Sequence, residues 1–453
     1  MSKIIKSLPF FVVFAVLIIS FLFLPMSSIA QEQKNGETVT ASWLVKVAPG
    51  SSLSGARHIY GDWWEIKQAS FSSLILHPNV IQVQPNRLIV LDDPPPVHFE
   101  ITNIVTDTYP NDPYYPYQWH FPQVQAGAVW TTTQGISVTV AILDTGISHD
   151  GMDLDCHSFV SPYNAITDET SLEAVTDDHG HGTHVAGTIA QCTNNGIGVA
   201  GMASKTAIMP VKVLNNGIGT EADLAVGLNW AIEHGADVVN LSLGADCENE
   251  EDTWPECGVE VVDEVIQKAL DAGIPIVAAA GNDGKETLVY PANHPGVIAV
   301  SAVNYDMELA YYSNYRDGIT LAAPGGDSND NNQDGHVDGI LQETFGYAGW
   351  GYYYMIGTSM ATPHVTGAIA LLQSYMPDAS SQLIVDALKL TARDLGEDGC
   401  DSYYGYGLIQ VGDALAFLRQ SQLQSEKIYF PRVTNTYGST TDPSFSSNNN
   451  FNY

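Results

Sequence analysis

The run VTVAILD at residues 138–144 is the first of several short apolar runs that decide the fold. The others are AIMPVKVL (207–214), VVNLSL (238–243), IPIVAAAGN (274–282) and GVIAVSAV (296–303). Strands that are apolar on both faces are typical of a parallel sheet with helices on either side. Residues 221–233 and 259–271 lie between these runs and have helical spacing, which indicates repeated βαβ units. We therefore predict an α/β fold with a doubly wound, mostly parallel sheet flanked by helices.

Polar side chains stand where three of these strands end: Asp144, Ser242 and Asn282. Because the carboxyl ends of parallel strands meet at one crevice, where ligands bind, we expect these side chains to share a site. A serine becomes a nucleophile when a base takes its proton and a third group orients that base. Asp144, a histidine in HGTHVAG (181–187) and Ser359 in GTSMATPHV (357–365) supply the three groups.

Through DTG (144–146) and these two motifs, the chain resembles the subtilisin-like serine proteases, or subtilases, over about residues 111–410. NDPYY (111–115) is similar to the mature start of the thermitase-like branch. The resemblance implies a serine endopeptidase that acts on protein or peptide substrates. It implies a catalytic set of nucleophile, base, orienting acid and oxyanion donor: Ser359, His181, Asp144 and Asn282. It also implies a substrate-binding set: Ser242, Leu243, Gly244 and Gly281.

Three histidines in DDHGHGTHVAGT (177–188) are candidates for the base. The small, apolar residues from 184 to 190 predict a buried helix, which places His181 at its first turn, facing the crevice. His184 lies one turn deeper, a position that favours packing. His179 is expected in a solvated acidic loop. The helix position and the resemblance therefore both favour His181.

Two other functions stay open at this point. One is a zinc hydrolase in which the pattern H-x-H-x-x-H holds the metal, but this function leaves Ser359 and Asn282 unexplained. The other is a catalytically silent peptide-binding protein on the same fold, which would have no need of an intact catalytic set.

The first 30 residues have the order of a secretory signal. Lys3 and Lys6 precede an apolar run from 8 to 24, and small residues follow as far as Ala30. This order predicts cleavage after residue 30. A retained membrane anchor is the alternative, because the run borders on spanning length. We expect a secreted, extracellular protein with no stable membrane association once the signal is removed.

Residues 31–109 resemble the propeptide of the family in place and length. The resemblance implies a small α+β domain that inhibits its own enzyme and is cut off near residues 103–111, so that the protein is a self-processing zymogen. The run DDPPP (92–96) predicts an extended, exposed linker. The catalytic domain is then 110–420. Residues 421–453, rich in Ser, Thr and Asn, predict a poorly ordered low-complexity tail.

The charge of the chain restricts its partners. Its 17 basic and 51 acidic side chains give a formal net charge of −34. Such a surface repels nucleic acid phosphates and anionic membranes. We expect no nucleic-acid partner, and we expect a monomer.

Two segments are candidate sites for structural Ca²⁺. The stretch GGDSNDNNQDGHVDGI (325–340) places oxygen ligands at alternate positions around a glycine, as calcium loops do. Its candidate ligands are Asp330, Asn332, Asp334 and Asp338. Leu341 stands where a further acidic ligand is expected, so a flexible polar insertion is the alternative. The resemblance implies a second calcium site, formed by Asp112, Asp153 and Asn195.

All five cysteines lie beyond the signal, in a chain bound for an oxidising compartment. No CxxC pair occurs, which argues against a thiolate zinc site. The calcium site implied by the resemblance would draw Cys156 and Cys192 together, so we expect a disulfide between them. Cys247 and Cys257 would close the acidic insertion 248–256, which leaves Cys400 over.

Overall fold

The structure is a computed structural model, and it describes residues 33–34, 37–38, 42–67, 69, 71–99, 110–149, 151, 153–245 and 259–429. Four of the predictions above lie wholly or mainly outside these residues. They are the signal segment, the cut near 103–111, the Cys247–Cys257 bridge and the tail beyond 429. Among the described residues, no helix has the length and apolar character needed to cross a membrane.

The N-terminal region contains a four-stranded antiparallel sheet in the order β4-β5-β3-β6. Its strands are β3 (Ser42–Val47), β4 (Arg57–Tyr60), β5 (Trp63–Lys67) and β6 (Val80–Asn86), preceded by a two-stranded ribbon of β1 (Gln33–Lys34) and β2 (Glu37–Thr38). A short helix, α1 (Phe71–Ile75), connects β5 to β6. Val45, Val47, Leu74 and Val83 form a small core of their own. The expected small α+β unit is therefore present before the main body.

The main body is built on a seven-stranded parallel sheet in the order β10-β11-β9-β14-β15-β16-β17. Its strands are β9 (Thr139–Asp144), β10 (Tyr163–Asn164), β11 (Ala207–Lys212), β14 (Val238–Leu241), β15 (Ile276–Ala279), β16 (Ile298–Val303) and β17 (Ile319–Pro324). Every residue of β14, β15 and β16 is buried, as their continuous apolar runs predict. The predicted doubly wound α/β fold is confirmed.

Helices cover both faces of this sheet. They are α2 (His120–Gln123), α3 (His181–Ala190), α4 (Glu221–Glu233), α5 (Glu260–Asp271), α6 (Thr358–Tyr375), α7 (Ser381–Thr391) and α8 (Val411–Tyr429). Alternate residues of β9 point to opposite faces: Val140 and Ile142 pack with α3 and α6, whereas Ala141 and Leu143 pack with α4 and α5. The helices predicted over 221–233 and 259–271 are confirmed, the second beginning one residue later.

Two small sheets join the N-terminal chain to the body. One contains β12 (Leu214–Asn215), β13 (Ile218–Thr220) and β7 (Leu88–Val90). The other contains β18 (Ile340–Gly346), β19 (Gly349–Met355) and β8 (Val97–His98). β7 pairs with β13 and β8 pairs with β19, both antiparallel, so each extends a small sheet of the body by one strand.

The run 92–96 lies between β7 and β8, and the prediction that it is exposed is correct only for Asp92 and Pro95. The side chain of Asp93 is only 6% exposed, and Pro94 and Pro96 are half-buried. The composition of the run is that of a linker, but the two flanking strands fasten it to the body.

The predicted boundary at residue 420 falls inside a helix. α8 continues to Tyr429, so the first nine residues of the predicted tail belong to this helix. The first part of α8 packs into the main core through Ala414 and Leu418, and this packing supports the turns that follow.

Candidate active site

Asp144 and His181 meet where β9 ends and α3 begins. Asp144 Oδ1 lies 2.7 Å from His181 Nδ1, and neither side chain is exposed. Burial of the ring acts to lower the pKa of His181, but the carboxylates of Asp144 and Asp93 outweigh it and hold that pKa well above 6.5. The pair is thus a histidine held in one orientation by a buried acid.

Asp177 fixes the position of α3 relative to β9, and the sequence analysis did not single this residue out. Its Oδ2 accepts from the backbone N–H and the hydroxyl of Thr183, and its Oδ1 accepts from Gly180 N–H. The same Oδ1 accepts from the hydroxyl of Thr145, the neighbour of Asp144. Asp177 therefore binds the first turn of α3 and the end of β9 together. An acidic residue just before a predicted helix was the available signal.

Ser359 is the second residue of α6 and is buried. Its carbonyl accepts from the hydroxyl of Ser242 at 2.7 Å, and its own hydroxyl donates to the Ser242 carbonyl at 3.3 Å. Pro363 explains why the first carbonyl is free, because a proline four residues on has no N–H to bond it. The Ser359 carbonyl is thus available to Ser242, and this hydrogen bond joins the start of α6 to the residue after β14.

Asn282 follows β15, and its side chain contacts Thr358, the residue before Ser359. Its Oδ1 accepts from the Thr358 N–H at 2.8 Å and from the Thr358 hydroxyl at 2.9 Å. Since the oxygen of the amide is held by Thr358, the Nδ2 group is the one turned toward the crevice. Thr358 is thus a second residue that sequence reasoning missed.

A third carboxylate, that of Asp93, stands in this crevice. Asp93 Oδ1 accepts from Asn282 Nδ2 at 2.7 Å, and Asp93 Oδ2 lies 2.8 Å from His181 Nε2. Nothing in the sequence around Asp93 predicts this position, because the contacts span 88 and 189 positions of chain. The nitrogen that a general base would use therefore faces a carboxylate of the N-terminal segment.

The predicted substrate-binding residues follow β14 and β15. Ser242 and Leu243 are buried, and the residue after Gly244 pairs with Tyr290 in an isolated antiparallel bridge. Gly281 has φ +109°, and a Cβ there would lie 2.3 Å from Asn314 Nδ2, so the position requires glycine. Its N–H donates to the Thr358 hydroxyl, which places it beside the catalytic candidates.

The other two histidines of the motif lie apart from this chemistry. His184 is buried with Nε2 2.9 Å from the Ile340 carbonyl, and burial lowers its pKa to about 3. His179 is exposed, as the acidic loop predicts. In the described part of the chain, Cys156, His157 and Cys192 alone bring three His, Cys, Asp or Glu ligand atoms within 4.8 Å. The histidines therefore do not converge on a zinc position.

Asn195 links the two carboxylates that the resemblance implies as calcium ligands. Asp112 accepts from the backbone N–H of Asn195, and Asp153 Oδ1 accepts from the Asn195 Nδ2 at 2.7 Å. Asp112 and Asp153 have no exposed surface. Burial raises the pKa of Asp153 to about 8, and the charges of Glu343 and Asp112 add to the rise. Glu343, a carboxylate that sequence reasoning missed, accepts from the Asp153 N–H at 2.9 Å.

These residues fit a cation because buried carboxylates need a compensating charge. Rotation of the Asn195 amide would present its Oδ1, in place of Nδ2, to an ion beside Asp153. Asp112, Asp153 and Glu343 would then supply the negative charge that a Ca²⁺ site needs.

The loop 330–338 folds around its own carboxylates. Asp330 accepts from the N–H groups of Asp334 and Gly335, and Asp334 also accepts from Asn332 Nδ2. Asp338 is buried, and its Oδ1 has no hydrogen-bond partner, so this oxygen is available as a ligand for a cation. Burial raises the pKa of Asp338 to about 6. Leu341 is fully buried in an apolar cluster and supplies no ligand.

The predicted disulfide between Cys156 and Cys192 is present, with their Cα atoms 6.0 Å apart. Cys192 N–H donates to the Asp153 carbonyl, so the bridge adjoins the first calcium candidate. Cys400 is exposed and unpaired in the described part of the chain.

Comparisons with known proteins point to one family. Residues 135–407 match the model of the subtilase family. A thermophilic serine proteinase of Bacillus sp. (strain AK1) is 36% identical over 311 residues, which are 68% of this chain and 69% of that protein. The minor extracellular protease Epr of Bacillus subtilis is 32% identical over 76% of this chain and 48% of its own. A solved protease from Pseudoalteromonas arctica superposes with a TM-score of 0.60 at 33% identity, over 68% of this chain and 99% of that one.

Proposed function

Because the chain belongs to the subtilase family and is a serine endopeptidase, we propose that it cuts proteins with Ser359 as nucleophile, His181 as base, Asp144 as orienting acid and Asn282 as oxyanion donor. The observation that carries the proposal is the buried 2.7 Å contact between Asp144 and His181, in the crevice that also holds Asn282. Four parts of the chain supply these groups, namely the end of β9, the start of α3, the residues after β15 and the start of α6, and such positions meet where ligands bind in these sheets.

The reaction is acyl transfer. Ser359 Oγ attacks the peptide carbonyl while His181 Nε2 takes its proton, and Asp144 holds Nδ1–H and stabilises the charged ring. The developing oxyanion is met by Asn282 Nδ2 and the Ser359 N–H. His181 then gives its proton to the leaving amine. In the second half of the reaction, His181 takes a proton from the water that attacks the acyl group, and it returns a proton to Ser359 Oγ as the acid product leaves. Thr358 contributes by holding the amide of Asn282 in one orientation.

The substrate is held as an extended strand. Ser242, Leu243 and Gly244 form one side of the cleft, and Gly281 lines the pocket for a substrate side chain. A second edge, β13, already accepts β7 of the N-terminal segment as an antiparallel strand. This pairing supports strand addition as the binding mode, since backbone hydrogen bonds accept any sequence.

The protein is made as a secreted, self-processing zymogen. The N-terminal unit, 31–109, is the propeptide, the catalytic domain begins near residue 110, and the cut falls near 103–111. Leu44, Ile59, Trp63 and Ile89 of the N-terminal region pack into the same apolar cluster as α4 and α5, which supports a role in folding and inhibition. The processed enzyme is a monomer.

Structural calcium stabilises the catalytic domain. Asp112, Asp153 and Asn195 hold one ion, and residues 330–338 hold another through Asp330, Asn332, Asp334 and Asp338. When bound, the ions compensate buried negative charge and join segments that are distant in the chain. Two observations support them: the raised pKa of Asp153 and the unpartnered oxygen of Asp338.

The test of the catalytic proposal is labelling by a serine-directed fluorophosphonate, followed by mass spectrometry and casein hydrolysis. We expect one label, on Ser359, and loss of both label and hydrolysis in Ser359→Ala. Ser374→Ala, on the same helix, is the matched control and keeps both. Casein hydrolysis that survives Ser359→Ala would overturn the proposal. The absence of any hydrolysis by the processed wild type would favour the silent binding protein.

A further inference from the structure

The carboxylate of Asp93 fills the point at which the proposed reaction takes place. It lies 2.8 Å from His181 Nε2 and 2.7 Å from Asn282 Nδ2. A Cβ on Gly357, the residue before α6, would lie 2.4 Å from Asp93 Oδ1, so the carboxylate is packed against bare backbone there. One side chain thus contacts the base, the oxyanion donor and the start of the nucleophile's helix.

This position is enforced by anchors on both sides of Asp93. Before it, β7 pairs with β13, and Leu91 N–H donates to the Gly217 carbonyl at 2.9 Å. After it, β8 pairs with β19, and Phe99 N–H donates to the Tyr352 carbonyl at 2.8 Å. The segment 88–99 therefore crosses the crevice as a strap fastened at each end.

The prolines that follow Asp93 make the strap stiff. Each ring fixes φ near −65°, so Pro94, Pro95 and Pro96 lose little conformational freedom on docking. A preorganised segment binds at lower entropic cost than a flexible one. The run thus has a role in the folded protein that its composition alone does not reveal.

We propose that the catalytic crevice is a carboxylate-binding site, and that Asp93 is its built-in ligand, which keeps the uncut chain inactive until the strap leaves the crevice. The inference rests on the proposed function of the crevice. It goes further by naming the side chain that blocks the centre and the two nitrogen atoms that bind it. Asp93 blocks the centre because it accepts a hydrogen bond from Asn282 Nδ2 and forms an ion pair with His181 Nε2.

The charge state of His181 agrees with this role. Its neighbours among ionisable groups are Asp144, Asp93, His179 and His184. The two carboxylates hold its pKa well above 6.5 against the effect of burial. A charged imidazole has no lone pair with which to accept the proton of Ser359, so the base is disabled while Asp93 stays in place.

The first experiment adds a fluorophosphonate while the full chain refolds and follows the label at the mass of the uncut chain, before self-processing removes residues 31–109. Asp93→Ala should label at least about tenfold faster than wild type, since a lost charge-assisted contact is worth that much or more. Asp92→Ala, which removes the same charge from the neighbouring exposed position, is the matched control and should label at the wild-type rate. Equal rates for Asp93→Ala and wild type would overturn the inference.

A second measurement covers an Asp93→Ala chain that fails to fold. In full-length Ser359→Ala, which has no nucleophile for processing, NMR titration gives the pKa of His181 directly. The added change Asp93→Asn should lower this pKa by about one unit or more, a tenfold change in proton affinity, and Asp92→Asn should not. An unchanged pKa would overturn the inference. If the processed wild type fails to label at all, the proposed catalytic function has failed, and the titration still decides whether Asp93 occupies the site.

Discussion

The crevice and the N-terminal sheet β3–β6, which packs on α4 and α5, are held by contacts of different kinds. In the crevice, Asp144 and His181 meet at 2.7 Å with no exposed surface. In the sheet, Lys46 reaches Glu260 and Glu264 at the same distance, but the three side chains are between 25% and 42% exposed. Buried charge-assisted bonds are strong, whereas exposed ion pairs contribute little. The buried pair fixes the catalytic frame, whereas the exposed ion pairs of Lys46 add little to the attachment of the N-terminal sheet, the cover.

The largest effect on catalysis is expected at one of the two histidines of α3. His181→Ala should lower casein turnover by about 10⁴-fold or more, since loss of the base in subtilisin costs even more than this. His184→Ala removes a ring that packs against the Ile340 carbonyl, and it should lower the melting temperature while the processed enzyme stays active. The measurement is kcat beside thermal unfolding for both variants. If His184→Ala is the inactive variant, the assignment of the base is wrong.

Asn282→Ala probes the oxyanion position and should have the next largest effect. Turnover should fall by about 10²–10³-fold with KM little changed, the size of effect that loss of the corresponding donor has in subtilisin. Thr358→Val, which removes one of the two bonds to the Asn282 oxygen, should cost less. The split between kcat and KM is the readout. A rise in KM alone would place Asn282 in substrate binding instead.

The catalytic frame should also be sensitive to acid. His364 in α6 lies 2.8 Å from the buried ring of His120, and burial lowers its pKa to about 4. The unfolded ring, with a pKa of 6.5, takes up a proton first, so this contribution is complete above pH 6.5 and is lost as pH falls to about 4. It amounts to about 3 kcal/mol. Urea unfolding of Ser359→Ala across this range measures it, and the added change His364→Gln should flatten the slope.

The exposed His58 provides the control, because His58→Gln should leave the pH slope unchanged. A slope that is the same in the His364→Gln and His58→Gln chains would show that the acid sensitivity arises elsewhere in the frame.

Calcium removal should come next in size. An ion that binds only the folded chain stabilises it by about 2.7 kcal/mol at a hundredfold excess over Kd. Chelation should therefore lower the melting temperature of Ser359→Ala, and Asp153→Asn should reduce that dependence. Asp330→Asn is the matched change in the second loop and separates the two sites. A melting temperature that is the same in millimolar calcium and in excess chelator would contradict both sites.

The frame was predictable from the sequence because its signals are local. The buried strands and the helices over 221–233 and 259–271 follow from periodicity. The catalytic candidates follow from motifs at the strand and helix ends. The hydrogen bonds that hold the catalytic candidates in place were harder to predict. Asp177 and Thr358 act through bonds whose geometry no short sequence pattern specifies.

The cover was predictable only in part. The resemblance implied a small α+β domain, but the placement of Asp93 was not predicted, because hydrogen bonding across 189 positions leaves no local trace. The run DDPPP is equally compatible with a free linker and with a docked strap. Which of the two it becomes depends on β13 and β19, edges that offer it partners. The end of α8 was missed because the Ser, Thr and Asn content of residues 421–453 as a whole hides the helix-forming residues of 421–429.

The smallest effect is expected at Lys46, which tests the exposed ion pairs of the comparison. Lys46→Met keeps most of the length of the side chain but removes both ion pairs and the cation–π contact with Trp63. Because these groups are partly exposed, the loss should be about 0.5–1 kcal/mol. Opening of β3 and β6 is measured by hydrogen exchange in full-length Ser359→Ala at low salt and at about 1 M, where the screening length is about 3 Å. Wild type should open more readily in salt, and Lys46→Met should already be open to that extent at low salt. Lys67→Met, an exposed position in the same sheet, is the control and should keep the wild-type response. A salt response in Lys46→Met as large as in wild type would show that the apolar contacts of Leu44 and Trp63 alone hold the cover in place.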